Sequence, residues 1–176
     1  MQKNTQTGTD SPEKMYSDIM RYLHDIEHIS YQGAAKTKRN TDFRNYYAAY
    51  MVQFVLINRM LDLARYCVYQ CGYASQNEEL KNKVVIKRLW DVGVIDEQTK
   101  YELLACIDAR NKISHHFHEC TFRDLTELYQ KNSTILTCAE LFKTHIDAHA
   151  NKCRYIRSAV TAVLLIALAL AFLFLY

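Results

Sequence analysis

FRNYYAAYMVQFVLINRMLDLARYCVYQCGY, residues 43–73, is the stretch that decides the fold. It contains no proline, reaches its first glycine only at Gly72, and is filled with tyrosines and large aliphatic side chains. A segment this long and this apolar reads as the central helix of a bundle, and Gly72 supplies its C-terminal stop.

The rest of the chain agrees with an all-α fold. Its 176 residues include only one proline and four glycines, so the backbone is seldom interrupted. Helix-favouring residues are common and strand-type alternation is scarce. The length fits one globular domain plus a tail. A formal net charge of +3, with signs mixed along the chain, gives no overall electrostatic case for nucleic-acid binding, so any RNA contact has to be local. Six cysteines fall singly in apolar helical patterns without a CxxC pair, and they read as reduced core thiols.

Outward from the central segment, residues 1–10 are polar and expected to be disordered. Because they lack an apolar h-region, the domain is expected to stay in the cytoplasm. Ser11-Pro12-Glu13 then signals a helix start, predicting a helix over residues 12–30. Met15, Ile19, Tyr22, Leu23, Ile26 and Ile29 lie on its core-facing stripe. A glycine-containing linker is expected at residues 31–40. On the other side of the central helix, a shorter helix is predicted over residues 78–90, ending at Asp91-Val92-Gly93. Asp96 followed by Glu97 and Gln98 opens the next, and Thr121 with Asp124 offers a capping box for another. The last helix begins near Ser133 and meets no breaker before the C-terminal tail.

That tail, AVTAVLLIALALAFLFLY at residues 159–176, holds 18 residues without a charge. As a helix it would be about 27 Å long, enough for a hydrocarbon core. Lys152, Arg154 and Arg157 precede it and no basic residue follows. The reading is therefore a basic juxtamembrane segment and a single C-terminal transmembrane helix at residues 151–176, with the N-terminal domain on the cytoplasmic side of the membrane. Small residues four apart, Ser158 with Ala162 and Ala167 with Ala171, suit close helix approach.

The helix opened by Asp96 runs into Arg110-Asn111-Lys112-Ile113-Ser114-His115. This RNxxxH element, late in a helix that follows a helical hairpin, resembles the Arg-x4-6-His signature of the HEPN superfamily. The resemblance implies a HEPN-like helical domain over residues 11–150, paired with a second copy so that Arg and His converge. Metal-independent RNA cleavage is the activity many HEPN domains carry. Such chemistry needs a base for the 2′-hydroxyl proton, a cation for charge developing on phosphate, and polar groups to orient both. His115, Arg110 and Asn111 would fill those roles in that order. On a straight helix Asn111 and His115 share a face, while Arg110 and His115 are roughly 140° apart, so a second chain or a helix end at His115 is needed to join them. Some HEPN families place Tyr two residues after the histidine, where this chain has Phe117 and lacks that donor.

Two other histidine clusters stand out. His115, His116, His118, Glu119 and Cys120 match no zinc spacing, and His145 with His149 lacks the glutamate of a HExxH helix. Neither a metal nor any other cofactor is expected.

A HEPN-like domain with one terminal span resembles the small membrane-anchored accessory proteins of type VI-B CRISPR systems. The resemblance implies a homo-oligomer, HEPN-paired and extended into a larger ring, that forms an inner-membrane pore and enhances antiviral defence by depolarising the membrane. Its expected partners are further copies of itself, the lipid bilayer and, functionally, an RNA-guided CRISPR ribonuclease effector. The alternative is a membrane-tethered, metal-independent HEPN endoribonuclease, which would add RNA as a partner. As an accessory protein the chain need not be an active enzyme.

Overall fold

The computed structural model describes the backbone of residues 10–36 and 43–175, with side chains described except at 30–36, 43–45, 166 and 168–175. Six helices make up the described chain: α1 (Pro12–Lys36), α2 (Phe43–Gln70), α3 (Asn82–Asp91), α4 (Glu97–His115), α5 (Phe122–Tyr129) and α6 (Asn132–Leu175). A single 3-10 turn (Phe117–Glu119) joins α4 to α5.

Central α2 touches every other helix. Leu56, Ile57, Met60, Leu61, Leu63, Ala64, Cys67 and Val68 are all buried, and they cover too much of its circumference for a surface helix. Met15, Ile19 and Ile26 of α1 close one side of the core. Leu103, Cys106 and Ile107 of α4 belong to the same core, together with Ile135, Cys138, Ala139 and Phe142 of α6.

Local chemistry sets most boundaries. The Ser11 hydroxyl accepts from the Lys14 backbone N–H at 3.3 Å, and Pro12 occupies the first helical position, where a missing N–H costs nothing. At the end of α2 the Gly72 N–H donates to the Tyr69 carbonyl and the Tyr73 N–H to that of Val68, 3.2 and 2.9 Å away. Gly93 repeats this Schellman closure after α3, with bonds from Gly93 to Trp90 and from Val94 to Leu89, both 2.9 Å. Both glycines have positive φ, 73° and 75°. No atom lies within 4 Å of where a Cβ would stand on either, so backbone conformation, not space, demands glycine there. Asp96 caps α4 through the Thr99 N–H at 2.8 Å. The capping box of α5 is complete: Thr121 N–H donates to Asp124 Oδ2 at 2.7 Å and Asp124 N–H to Thr121 Oγ1 at 3.3 Å.

Four expectations need correction. Helix α1 continues through Tyr31 to Lys36, where a linker was expected, because a lone Gly33 costs a helix only about 1 kcal/mol and Ala34 and Ala35 favour it. The remaining linker residues, 37–40, lie outside the described residues. Helix α3 starts at Asn82 instead of residue 78, since the preceding loop buries Leu80 and uses the Glu78 carbonyl to receive the Tyr69 hydroxyl. All six cysteines are unpaired, but only Cys67, Cys71, Cys106 and Cys138 are core thiols; Cys120 is half-buried and Cys153 exposed. Burial pushes the Cys106 thiol up to about 11 and that of Cys138 up to about 12, so both stay protonated and inert.

The fourth correction concerns the tail. Among the described residues no helix is long and apolar enough to cross a membrane. The C-terminal transmembrane helix, and the single-pass inner-membrane placement that rests on it, are therefore not upheld. The apolar run is the end of a 44-residue helix whose first half is amphipathic and docked in the bundle. Side chains at 166 and 168–176 lie outside the described residues. Beyond Ile146 none of the described α6 side chains is buried, so this half of the helix extends free of the bundle. Of the N-terminal segment expected to be disordered, residues 1–9 lie outside the described residues. Asp10 is held by ion pairs to Lys14 and Arg59, both at 2.6 Å.

Candidate functional site

Arg110 sits on the half-buried face of α4 that meets α2. Its Nε donates to Asn58 Oδ1 at 2.8 Å, an Nη donates to Asn111 Oδ1 at 3.1 Å, and the guanidinium lies 4.9 Å from the centre of the Phe54 ring. These contacts fix its direction through two carboxamides and an aromatic face. None of them neutralises it.

The neighbouring carboxylates are engaged elsewhere. Asp108, two residues away and so on another side of the helix, pairs with Lys83 at 2.6 Å. Glu119 lies 3.5 Å from both His116 Nδ1 and His118 Nε2. Asp124 binds Lys112 at 2.9 Å, which holds its carboxyl below the usual range and raises the lysine. Arg59, by contrast, has Asp10, Asp18 and Asp62 within 2.6, 2.9 and 3.7 Å. Among the described residues no carboxylate reaches Arg110, and most of its five N–H donors lack a protein partner.

His115 is the last residue of α4 and is exposed. Its imidazole makes no hydrogen bond, ion pair or ring contact among the described residues. Helix α4 stops there because His116 leaves helical geometry, at φ −135°, while its N–H closes on the Lys112 carbonyl at 2.8 Å. The structure thus joins Arg110 to Asn111 but leaves His115 apart from both. Asn111 is the link, since it holds Arg110 and shares the helix face of His115.

Phe117 has a packing role. It stacks on Tyr47 at 5.0 Å and 23°, and meets the edge of Tyr50 at 5.5 Å. The Tyr46 hydroxyl donates to the Cys120 carbonyl at 2.8 Å and that of Tyr50 to the Thr121 carbonyl at 2.6 Å. Four aromatics therefore staple the start of α2 to the turn that follows His115. Burial and the neighbouring Tyr46 push the Tyr50 phenol far up.

Among the described residues no three histidine, cysteine, aspartate or glutamate side chains gather as metal ligands. His145 bonds through Nε2 to the Tyr73 hydroxyl, and His149 Nδ1 lies 3.9 Å from Cys153 Sγ.

The sequence reading missed Asn58, Phe54 and Tyr47. One signal was there: Asn58 is a carboxamide inside an otherwise apolar helical run, and a polar group placed so needs a partner from another element.

No family model matches the chain, and no curated protein matches its sequence. Among solved structures it is similar to a crystal structure described as a toxin–antitoxin with AMP-PNP. The TM-score is 0.55 at 15% identity, over 78% of this chain and 96% of that one. The two share a fold; at this identity nothing beyond the fold carries across.

Proposed function

We propose that this chain is a HEPN-like antiviral defence protein, accessory to an RNA-guided CRISPR ribonuclease of the type VI-B kind. It acts as a homo-oligomer in which the end of α4 that carries Arg110, Asn111 and His115 in one chain meets that of a second. The observation that carries this reading is Arg110, a cation fixed by Asn58 and Asn111 with no carboxylate among the described residues to neutralise it. Such a group suits a phosphate, which supplies the missing negative charge and accepts bidentate N–H donation. Arg110 and His115 diverge around a single helix, and two apposed faces would set the arginine of one chain beside the histidine of the other. The fold shared with a toxin–antitoxin chain is compatible with a HEPN-like domain. Ion conduction, which requires a bilayer-spanning segment, is not part of this proposal.

The test is protection against a targeted RNA phage in bacteria carrying a type VI-B effector, with the wild-type chain, Arg110→Ala or His115→Ala. Loss of the added protection in both variants, with protein levels unchanged, is expected. Full protection by both variants sinks the role given to this face. A chain that stays monomeric in light scattering at micromolar concentration removes the pairing.

A second reading, metal-independent endoribonuclease activity, is favoured by His115, whose imidazole has no partner among the described residues and is free to take a 2′-hydroxyl proton. Its test is cleavage of a labelled RNA in EDTA, which His115→Ala must abolish. Equal residual cleavage by wild type and variant would assign it to contamination.

A further inference from the structure

Along α2, Tyr47, Met51 and Phe54 follow one another at helical spacing on one face. Phe54 carries the Arg110 guanidinium at one end. Tyr47, at the other end, is 50% exposed although its ring is already fixed against Phe117. Met51 between them is also 50% exposed. The neighbouring tyrosines Tyr46 and Tyr50 spend their hydroxyls on the carbonyls of Cys120 and Thr121, whereas the Tyr47 hydroxyl has no partner among the described residues.

We infer that Tyr47, backed by Phe117, is a stacking platform for a base of single-stranded RNA whose phosphate is held by Arg110. This rests on the phosphate-binding reading of Arg110 proposed above and adds the strand type and a second contact. A flat ring ordered before binding offers a base its π-face at little entropic cost, and stacking of this kind is indifferent to sequence. Tyr47 and Phe54 are about 10 Å apart along the helix, roughly three steps of a stacked strand and fewer of an extended one. A duplex keeps its bases paired and stacked on each other, so it cannot use Tyr47. The site therefore takes single strands in preference to duplexes. An uncompensated cation beside the aromatic strip favours a polyanion over an apolar protein surface as the occupant.

The experiment measures fluorescence anisotropy of the full-length chain with a labelled 12-nucleotide oligouridine and with its duplex, in EDTA, across a salt series. Wild type should bind the single strand more tightly. Tyr47→Ala should lower single-strand affinity roughly tenfold with an unchanged salt slope, while Tyr47→Trp and Tyr47→Phe retain binding. Arg110→Ala should reduce the salt slope by about one phosphate contact. Binding by Tyr47→Ala equal to wild type, with Arg110→Ala still impaired, overturns the platform and leaves the phosphate reading standing. Failure of wild type to bind at all overturns both. Conversion of Tyr47→Ala and Tyr47→Phe to smaller oligomers in light scattering would overturn the platform by assigning this face to a contact between copies. Melting curves for every variant confirm that it is folded.

Discussion

Arg110 donates to Asn58 across 2.8 Å, and the acceptor is a carboxamide where a carboxylate would have fitted. The substitution Asn58→Asp turns this pair into a salt bridge. Thermal stability is expected to stay level or rise by less than about 1 kcal/mol, the usual worth of a part-exposed pair. Single-strand RNA binding should nonetheless fall, because the phosphate then competes with an internal carboxylate. A variant that keeps both its RNA affinity and its melting temperature would show that the charge of Arg110 is not used.

Phe142 is fully buried where α6 crosses the core, and Leu164 on the same helix is 59% exposed. Phe142→Ala should cost about 3–5 kcal/mol, and Leu164→Ala less than about 0.5 kcal/mol. Urea denaturation followed by circular dichroism checks both. A large loss at Leu164 would mean that the free half of α6 is covered in solution.

Gly72 and Gly93 both have positive φ. Replacing either with alanine should destabilise the chain by about 1–2 kcal/mol, although a Cβ would touch nothing within 4 Å. Asparagine, which tolerates this region, should cost less. Equal losses for alanine and asparagine would point to a packing role instead.

Acid stability should depend on Asp124. Lys112 and the Thr121 backbone hold its carboxyl below the usual 3.8. A lowered folded pKa means a stabilisation fully present above the unfolded value, near pH 4, and lost as the pH falls through the folded value. Asp124→Asn should therefore flatten the low-pH limb of a stability profile and cost about 1 kcal/mol at neutral pH, as loss of a cap does. An unchanged acid limb would exclude Asp124 as a contributor.

The local signals are complete in the sequence. Ser11, Asp96, Thr121 with Asp124, Gly72 and Gly93 act on backbone groups no more than five residues away, so their chemistry is complete within a few letters of sequence. Where the reading failed, local rules were outweighed. Gly33 did not stop α1, because one glycine costs too little against a helix already formed on either side. Apolar letters at the tail suggested a span, yet the described helix there is the free end of a docked, amphipathic element. In the sequence Phe117 shows only the lack of a hydrogen-bond donor; its stacking on Tyr47 joins residues 70 positions apart.

By itself the sequence determined an all-helical chain, the positions of most caps, the central place of α2 and the presence of Arg110, Asn111 and His115 on one helix. Only the tertiary structure decided what surrounds them. It set Asn58 and Phe54 against Arg110, tied the nearby carboxylates to other cations, and left His115 at an exposed helix end. The reason is range: a cap answers to its own turn of backbone, whereas the charge balance of a side chain depends on every group that packing brings within a few ångströms.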